Sequence, residues 1–553
     1  MQALAVGRKE KNWMSCLRVF LAVLLCQATV ARAERIRIVG RADADPLERL
    51  AAQELKTALE KAFPERDFVF DVGSGVDGPS IVVGTLGKTP SLRQIGAVEW
   101  ASRQGISKPE SYIIKTFQVG AHPVMAIAGS DPRGTLYGAY TYLEKIGCGF
   151  YLSYEVYTGK DPFSELAVAD SPVVPERLVL DWHNFPSSCS TWDLEDWKTY
   201  LQRCSRMKFN SLMVHLYGNN PTFAYSHNGI TKPVEGLTTS LRGQEWGTQN
   251  VNDVRRLIGA AGIFHSPVFG SEAAANVPDE RRAEAATELI EKAFAFARSR
   301  GMDLNLAIDV DTESALPRSI VDTLPASAVL RGFRDHPIPN PEAPEGYAFY
   351  RSQARFLLAN YPMLSRLTLW KRPGRTPASQ VDPKNLPEGW QREFDDRLGQ
   401  AKTPVPPDQR EIAAGYLVVN RMARAFRRAL DELGRPDIPL GVGTWHIAFM
   451  ELADRFFDPQ LTFYALDGTR QFPEEATRRM MRACSAQRRK VTFAWAHHDD
   501  ATYAGRSFTP FRNYAGLLES SGSAGYGIIH WTFRPLDLFF KSLAQQVWAD
   551  TIN

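Results

Sequence analysis

The sequence predicts an α/β fold: a (β/α)8 TIM-like barrel preceded by a small α+β domain. From residue 177 onward, eight short apolar segments alternate with amphipathic segments of helical period. Before residue 171, strand and helix patterns form a separate unit with its own apolar positions. The chain has 553 residues, which exceeds one ordinary domain and suits two or three.

The composition is typical of a globular protein. Apolar residues make up 44% and charged residues 23%, which excludes disordered and collagen-like chains. The first 33 residues carry five Lys or Arg and one Glu, so they contribute +4 to the net charge of +3, and the remainder carries −1. Because no run of Lys and Arg remains after this segment, we expect no binding to nucleic acid.

Residues 1–33 have the pattern of an export signal. A basic stretch leads into an apolar run at 19–30, and small residues follow at Ala31 and Ala33. This run has 12 residues, and a membrane-spanning helix needs about 20. Leu25 before Cys26 fits a lipoprotein site poorly. We therefore expect a soluble protein exported to the periplasm or beyond the cell, with no lipid anchor and no integral membrane segment after cleavage.

Residues 34–170 are predicted to form the small α+β domain. Its first helix begins at Asp45-Pro46, because Asp suits the N-cap and Pro the first helical turn. A second helix is predicted over Arg133–Ile146, and we expect Tyr137, Tyr140 and Phe150 to pack against the barrel. The predicted strands are Ile36–Val39, Phe68–Val72, Ile81–Leu86, Tyr112–Phe117 and Val124–Ala128. Pro172 and Pro175 indicate a linker.

Residues 177–553 are predicted to form the barrel. The predicted strands are Leu178–Asp181, Leu212–Leu216, Leu304–Asp309, Leu367–Trp370, Leu440–Thr444, Phe463–Leu466, Val491–Ala496 and Gly527–Trp531. The predicted helices are Leu194–Met207, Arg281–Arg300, Tyr347–Asn360, Arg410–Leu433, Glu474–Cys484 and Phe511–Ser520. Strands that alternate with helices in this way indicate a parallel barrel. Four widely spaced cysteines are expected to be buried free thiols: Cys148, Cys189, Cys204 and Cys484.

Polar and aromatic residues gather at the predicted carboxyl ends of the barrel strands, where barrel enzymes place their active sites. Six of the ten histidines and five of the twelve tryptophans lie there. Aromatic faces stack on sugar rings while polar groups fix the hydroxyls, so the pattern favours a carbohydrate site. The predicted substrate-binding residues are Asp181, Trp182, His183, His215, Trp370, Lys371, Trp445, His446, Trp495, His498, Arg506, His530, Trp531 and Arg534.

Other chemistries have weaker support in the sequence. His497 and His498 are adjacent, and neighbouring residues on a strand point to opposite faces, so both cannot face one metal ion. The HExxH spacing, the Gly-rich phosphate loops and the G-x-S-x-G elbow do not occur. We therefore predict no metal and no cofactor, and a metal-assisted barrel hydrolase stays an alternative.

The end of the small domain carries a resemblance to a known family. Residues 129–155 read GSDPRGTLYGAYTYLEKIGCGFYLSYE, with an Arg-Gly-x-x-Tyr-Gly-x-Tyr core followed by Leu-Glu-x-x-Gly-x-x-Phe-Tyr. This stretch resembles the domain that precedes the barrel in α-glucuronidases and β-hexosaminidases. With the export signal and the barrel, the whole arrangement looks like the α-glucuronidase class. The resemblance implies a glycoside hydrolase that acts on a carbohydrate substrate.

Glycoside hydrolysis needs two carboxyl groups beside the scissile bond. The resemblance implies a water-activating pair on neighbouring late strands, and Asp467 with Asp499 or Asp500 matches those places. Both families place the acid at the end of strand four, where this chain has Trp370-Lys371-Arg372, so Glu313 after strand three is the predicted substitute. The candidate carboxylates at the strand ends are Asp181, Asp309, Asp311, Glu313, Asp467, Asp499 and Asp500.

These features predict an exported glycoside hydrolase acting on plant or algal polysaccharide fragments. Cations on three separate loops, at Lys371, Arg506 and Arg534, favour an acidic sugar because an arginine fork matches a carboxylate. A non-catalytic carbohydrate-binding barrel is the other alternative, since the strand-four carboxyl is missing. The sequence predicts neither the sugar, nor the linkage, nor the oligomeric state.

Overall fold

The computed structural model describes most of the chain from residue 35 to residue 548. The ranges outside the description are 1–34, 74, 183–188, 190–191, 235–277, 334–335, 372–375, 400–403, 445–446, 469, 497–507, 532–535 and 549–553. The segment predicted to be an export signal and several predicted site residues therefore lie outside the described residues. Those site residues are His183, Trp445, His446, His498, Asp499, Asp500, Arg506 and Arg534.

A six-stranded sheet with helices forms the small domain. Its strands are β1 (Arg35–Val39), β2 (Asp67–Asp71), β3 (Ser80–Thr85), β4 (Tyr112–Val119), β5 (His122–Gly129) and, after the hairpin of β6 (Gly149–Phe150) and β7 (Glu155–Val156), β8 (Ala167–Asp170). Its helices are α1 (Pro46–Ala62), α2 (Pro90–Gln94), α3 (Ala97–Arg103) and α4 (Pro132–Ile146). The strand order is β2-β1-β3-β5-β4-β8, with β4 antiparallel to both of its neighbours.

Eight parallel strands close into a barrel. In chain order, the first to the eighth are β9 (Glu176–Asp181), β10 (Ser211–Leu216), β13 (Asp303–Asp309), β16 (Arg366–Trp370), β17 (Leu440–Thr444), β18 (Thr462–Asp467), β19 (Lys490–Trp495) and β20 (Gly525–His530). Two small hairpins lie in the loops: β11 (Ser226–His227) with β12 (Ile230–Thr231), and β14 (Val329–Leu330) with β15 (Ile338–Pro339). The last barrel strand pairs with the first in parallel register, which confirms the predicted fold class.

Helices surround the barrel between its strands. They are α5 (Leu194–Arg206), α6 (Arg282–Ser299), α7 (Arg318–Val321), α8 (Pro344–Asn360), α9 (Glu388–Gly399), α10 (Arg410–Glu432), α11 (Met450–Phe456), α12 (Glu475–Ala483), α13 (Tyr514–Ser521) and α14 (Asp537–Gln546). The six helices predicted for the barrel are present within three residues of their expected bounds. The helices α9, α11 and α14, the short helices α2, α3 and α7, and the strand β8 were not predicted.

Local sequence explains where the first helix begins. The carboxylate of Asp45 accepts a hydrogen bond from the Leu47 N–H at 2.9 Å, and Glu48 accepts one from the Asp45 N–H at 2.7 Å. This reciprocal capping satisfies backbone donors that a helix start leaves unpaired. The predicted Asp45-Pro46 start is therefore confirmed.

Charged side chains join the small domain to the barrel. Glu54 of α1 accepts hydrogen bonds from Arg206 at 2.8 Å and from Arg300 at 2.9 Å. Burial by itself raises the pKa of Glu54, but the guanidinium groups of Arg300 and Arg206 outweigh it and lower the pKa below its ordinary value. Glu110 makes a second junction and accepts from Arg133 and from Asn210 of the barrel. The seam is therefore built from paired buried charges, which are costly to separate.

Aromatic contacts complete this seam as predicted. The Tyr140 hydroxyl accepts a hydrogen bond from Arg300 at 2.8 Å, and Tyr137 packs edge-on against Trp548 at 5.7 Å. The Arg206 guanidinium lies 5.5 Å from the Phe150 ring centroid. The expectation that Tyr137, Tyr140 and Phe150 contact the barrel is confirmed.

Two further predictions concern buried thiols and membrane helices. Cys148, Cys189, Cys204 and Cys484 are free and buried, as expected. Among the helices in the described ranges, none combines the length and the apolar character that crossing a bilayer demands.

Candidate functional site

The barrel strands have an inner face and an outer face, and successive residues alternate between them. Leu178 and Leu180 of β9 pack inside the barrel, whereas Val179 packs in the outer layer with the helices. The same alternation separates Tyr464 and Leu466 from their neighbours on β18. This alternation decides which strand-end residues face the barrel opening.

Aromatic side chains on the inner face form a cluster at the carboxyl ends of the strands. The Trp182 indole stacks on the His215 imidazole with ring centroids 4.8 Å apart and lies edge-on to Trp370 at 5.7 Å. Its Nε1–H donates a hydrogen bond to the Tyr217 hydroxyl. At the ends of the seventh and eighth strands, the eighth being paired with the first, Trp495 and Trp531 meet edge-on at 5.5 Å. We call these residues the mouth cluster: Trp182, His215, Tyr217, Trp370, Trp495 and Trp531.

Glycine makes room for the tryptophans. A Cβ on Gly443 of β17 would lie 2.1 Å from the Trp370 ring, so this indole occupies the space of an absent side chain. A Cβ on Gly468 would lie 3.3 Å from the Trp495 indole, which is a tight contact. The mouth cluster is therefore packed directly onto the backbones of neighbouring strands.

A buried carboxylate lies within the mouth cluster. Asp309, at the end of β13, contacts His215 Nε2 through Oδ1 at 3.0 Å and accepts a hydrogen bond from the Gly218 N–H through Oδ2 at 3.2 Å. Both side chains are fully buried. The second and third strands thus bring a positioned His–Asp pair to the barrel opening.

A lysine, Lys371, occupies the carboxyl end of the fourth strand. The Lys371 ammonium is buried and lies 4.8 Å from the Tyr416 ring centroid. Burial lowers its pKa, and the charge of Asp311 offsets that effect in part. Asp311 in turn accepts a hydrogen bond from the Thr376 hydroxyl at 2.8 Å. The strand-three and strand-four ends therefore combine a cation with a carboxylate.

Asp181 and His530 lie together on the outer face. His530 Nδ1 is 3.4 Å from Asp181 Oδ2, and its Nε2 hydrogen-bonds the Tyr200 hydroxyl at 2.8 Å. Asp181 also accepts a hydrogen bond from the Cys189 N–H at 2.6 Å, and burial raises its pKa well above the ordinary value. We call Asp181, Cys189, Tyr200 and His530 the outer cluster. It lies behind the strands that carry Trp182 and Trp531.

Asp467, the predicted base, lies at the end of the sixth strand. It shares its strand face with Phe463 and Ala465, which pack in the outer layer. Its carboxylate accepts hydrogen bonds from the Gln471 N–H at 2.6 Å and the Phe472 N–H at 3.1 Å. Burial raises the pKa of Asp467 to about 6, against the lowering effect of these backbone donors. A proton can therefore be exchanged here near neutral pH.

The predicted residues fall into three groups. Trp182, His215, Trp370, Trp495 and Trp531 come together at the mouth, whereas Lys371 contacts Tyr416 of the surrounding helix α10. Asp181, His530 and Asp467 face the outer layer, and Glu313 is exposed in the turn after β13. The remaining predicted site residues lie outside the described ranges.

Tyr217 was not among the predicted site residues, and Asp309 and Asp311 were predicted only as candidate carboxylates. Asp309 lies on the inner face in step with Ala307, whereas counting in steps of two from the predicted strand start at Leu304 reaches Ile308 and misses Asp309. Within the described ranges, no group of three or more His, Cys, Asp or Glu side chains is placed to hold a metal ion.

Comparison with known proteins bears on the small domain above all. Residues 24–142 match the family model described as Glycosyl hydrolase family 67 N-terminus. The chain resembles the α-glucuronidases. A probable α-glucuronidase A from Neosartorya fischeri is 26% identical over 194 residues, which are 32% of this chain and 20% of that protein. A probable α-glucuronidase A from Aspergillus fumigatus is 29% identical over 139 residues, 25% of this chain and 14% of the relative.

These matches cover a fifth or less of the curated relatives' own length. Solved structures extend the likeness in fold to nearly the whole chain. A family 138 glycoside hydrolase that targets pectin rhamnogalacturonan II superimposes with a TM-score of 0.50 at 13% identity, over 94% of this chain and 64% of that one. A family 20 exo-β-N-acetylglucosaminidase from Vibrio harveyi gives 0.51 at 13% identity, over 93% and 70%. The family match and the curated relatives support a glycoside hydrolase resembling α-glucuronidases.

Proposed function

We propose that the protein is an exported glycoside hydrolase that acts on uronic-acid-containing oligosaccharides or polysaccharides. One observation carries this proposal: the mouth cluster places tryptophan rings beside the buried Asp309–His215 pair at the opening of the barrel. Aromatic faces with a few fixed polar groups are what sugar recognition requires. The resemblance of the small domain to that of α-glucuronidases supports the same class of substrate.

The proposed catalytic carboxylates are Asp467 with Asp499 or Asp500 as the water-activating pair. In the parallel register of the sixth and seventh strands, Asp467 lies beside Ala494, which precedes Asp499 by five positions in the sequence. Its pKa of about 6 suits a group that accepts a proton near neutrality. To face the barrel opening, Asp467 must change rotamer and give up its bonds to the Gln471 and Phe472 N–H groups.

A proton donor is needed opposite this pair. Glu313 is the donor that we propose from the sequence, and its exposure in the turn after β13 leaves it accessible to a substrate. Asp309 and Asp311 are carboxylates of the same strand end, and Asp309 already lies within the mouth cluster. Parallel substitution of Glu313→Gln and Asp309→Asn would identify the donor, because only its loss spares substrates with an activated leaving group.

We propose that Lys371, Arg506 and Arg534 recognise the sugar carboxylate. Lys371 is buried at the carboxyl end of the fourth strand, where the charge of Asp311 acts on its ammonium, and this supports a cation at this end of the barrel. A charge-assisted hydrogen bond contributes about 1.5–3 kcal/mol, which separates a uronate from its neutral counterpart by about tenfold or more. Arg506→Met and Arg534→Met should therefore weaken a uronate ligand selectively. Equal weakening of the neutral sugar would argue against the uronate preference.

The decisive experiment is a substrate screen with the full chain. Aryl glycosides of glucuronic and galacturonic acid would be tested against the matching glucosides and galactosides, each with and without EDTA. Turnover of a uronide that survives EDTA is the expected result. Turnover that EDTA abolishes would favour a metal-assisted hydrolase instead.

A carbohydrate-binding barrel without activity is the second candidate. It is favoured by one observation: a buried lysine, Lys371, stands at the strand-four end where the related families have their acid. Calorimetric titration with the same sugars separates the two candidates. Binding of a uronic acid without turnover of any aryl glycoside would support the non-catalytic alternative.

A further inference from the structure

Asp309 contacts two different groups at the end of the second strand through its two carboxylate oxygens. Oδ1 lies 3.0 Å from His215 Nε2, and Oδ2 accepts a hydrogen bond from the Gly218 N–H at 3.2 Å. The carboxylate and the imidazole are both fully buried. Because an unsatisfied polar group is costly to bury, the contacts at both oxygens hold this side chain in one orientation. Asp309 therefore ties the third strand to the second at the mouth cluster.

The first contact leads from Asp309 to the face of the Trp182 indole. His215 stacks on this indole with ring centroids 4.8 Å apart and an interplanar angle of 24°. The same imidazole lies 5.2 Å from the Trp370 ring, tilted by 55°. Because Asp309 contacts one nitrogen of the imidazole, the ring cannot turn without losing that contact. The orientation of His215 in turn limits where the two indoles can lie.

The second contact leads to the edge of the same indole. Tyr217 precedes Gly218 in the chain, and its hydroxyl accepts a hydrogen bond from the Trp182 Nε1–H. Gly218 lies against the turn after the third strand, where a Cβ would be 2.5 Å from the Ala315 nitrogen. Only glycine can therefore bring its N–H to Asp309 at this point. The bond from Gly218 to Asp309 fixes the backbone that carries Tyr217.

We propose that Asp309 is a positioning residue that holds the Trp182 indole at its face and at its edge for stacking on a sugar ring, and that it is not the proton donor. This inference rests on the proposed function and deepens it, because it assigns Asp309 to affinity and leaves proton donation to Glu313. A donor presents its proton to the glycosidic oxygen, whereas both oxygens of Asp309 contact the protein.

The two roles predict opposite results for an isosteric amide. Asp309→Asn keeps both contacts, because its carbonyl oxygen accepts the Gly218 N–H and its amide group donates to His215 Nε2. The same amide has no proton to give to a leaving group. A positioning residue therefore tolerates this change, and a proton donor does not. Asp309→Leu is of similar size and removes both contacts.

Calorimetry and steady-state kinetics on the full chain test the proposal. Calorimetry would measure the dissociation constants of glucuronic and galacturonic acid, and the kinetics would use their phenyl glycosides, because phenol is a poor leaving group that needs a proton donor. Asp309→Asn should keep affinity and kcat within about twofold of the unmodified protein. Asp309→Leu should weaken affinity and raise KM about tenfold, with kcat kept within about twofold.

Two further variants each interrupt one path to the indole, and they carry the test if Asp309→Leu does not fold. His215→Phe keeps a ring beside Trp182 but removes the nitrogen that contacts Asp309. Tyr217→Phe removes the hydroxyl that accepts the indole N–H. Each should weaken sugar binding about threefold and leave kcat unchanged. His227→Phe is the matched control, because His227 is buried in the β11–β12 hairpin against helix α8, and it should leave affinity unchanged.

The outcomes separate this inference from the proposed function. A fall of kcat by about 100-fold in Asp309→Asn would make Asp309 the donor and overturn the inference. Equal losses of affinity in Asp309→Asn and Asp309→Leu, or no loss in the Leu, His215 and Tyr217 variants, would overturn it as well. If the unmodified protein binds neither uronic acid and hydrolyses neither phenyl glycoside, the proposed function fails and this inference fails with it.

Discussion

The inner and outer faces of the barrel strands carry different kinds of polar contact. On the inner face, Asp309 pairs with His215 among tryptophan rings at the opening. On the outer face, Asp181 pairs with His530, but the next partners are Tyr200 of α5 and the backbone at Cys189. Both faces thus have a buried Asp–His pair near the carboxyl ends of the strands. Only the inner pair adjoins the opening.

Residues that are adjacent at one strand end can face opposite layers and have different roles. Asp181 and Trp182 are neighbours in sequence, yet one anchors a loop and the other lines the mouth. The outer contacts fix the strand ends from behind, and the backbone bond from the Trp182 N–H to the His530 carbonyl at 2.7 Å joins the first strand to the eighth. Substitutions on the two faces should therefore affect different measurements.

Asp467 gives the sharpest test, because it lies on the outer face and is the proposed base. Asp467→Asn should reduce kcat by about 100-fold or more, since an amide of the same shape cannot take a proton. Steady-state assays with an aryl uronide would measure the effect, and circular dichroism would check the fold. If the variant has a normal kcat and a lower Tm, the role of Asp467 is to hold residues 471–472 in place. The catalytic base would then lie on the inner face.

The pH dependence of the unmodified protein sharpens the same comparison. Burial raises the pKa of Asp467 to about 6, so its carboxylate is lost as the pH falls through that value. We expect kcat/KM to fall about tenfold for each pH unit below about 6. If kcat/KM begins to fall only near pH 4, the ordinary pKa range of an exposed aspartate, the base is a different residue.

The mouth cluster should govern affinity more than turnover. Trp531→Phe keeps an aromatic ring but shortens its face and removes the indole N–H, which should weaken sugar binding about fivefold. Calorimetry would measure the dissociation constant, and Trp197→Phe on α5 is a matched control, because Trp197 is buried in the outer layer. Equal weakening in both variants would remove the distinction between the faces.

The outer cluster should affect stability and leave activity unchanged. Tyr200→Phe removes the hydroxyl that contacts His530 Nε2 and should lower the free energy of unfolding by about 1–2 kcal/mol. Urea unfolding would measure this loss, and kcat and KM should stay within twofold of their values in the unmodified protein. A fall in kcat that matches the loss of stability would mean that the outer cluster reaches the chemistry.

Most of the fold could be predicted from the sequence, because each barrel strand is a short apolar run between amphipathic helices. The missing pieces depend on distant contacts. The strand β8 has four residues and exists because it pairs with β4, more than 45 positions earlier. The helix α14 was not predicted, because its apolar residues closely follow the polar and aromatic residues at the end of the eighth strand.

The site was predictable as a region and less so as a set of contacts. Strands buried on both faces read as continuous apolar runs, so the run itself does not reveal which face is inner. Asp181 and His530 were therefore grouped with Trp182 and Trp531. The contact of Lys371 with Tyr416 could not be predicted, because α10 supplies the ring from 45 positions away.

The seam between the domains has a consequence for how the protein is made. The small domain leaves the ribosome first, but its Glu54 and Glu110 meet their arginine and asparagine partners only when the barrel follows. The partner of Tyr112 on β4 is synthesised last, because it is Trp548, whose ring centroid lies 5.4 Å from that of Tyr112.

Trp548 also forms an isolated antiparallel β-bridge with Pro172 at the junction of the two domains. A nascent chain that holds the whole small domain therefore still exposes acidic and aromatic side chains whose partners lie up to 436 positions downstream. Until synthesis passes residue 548, these side chains are exposed and can make non-native contacts. Chaperones can bind the small domain during this time.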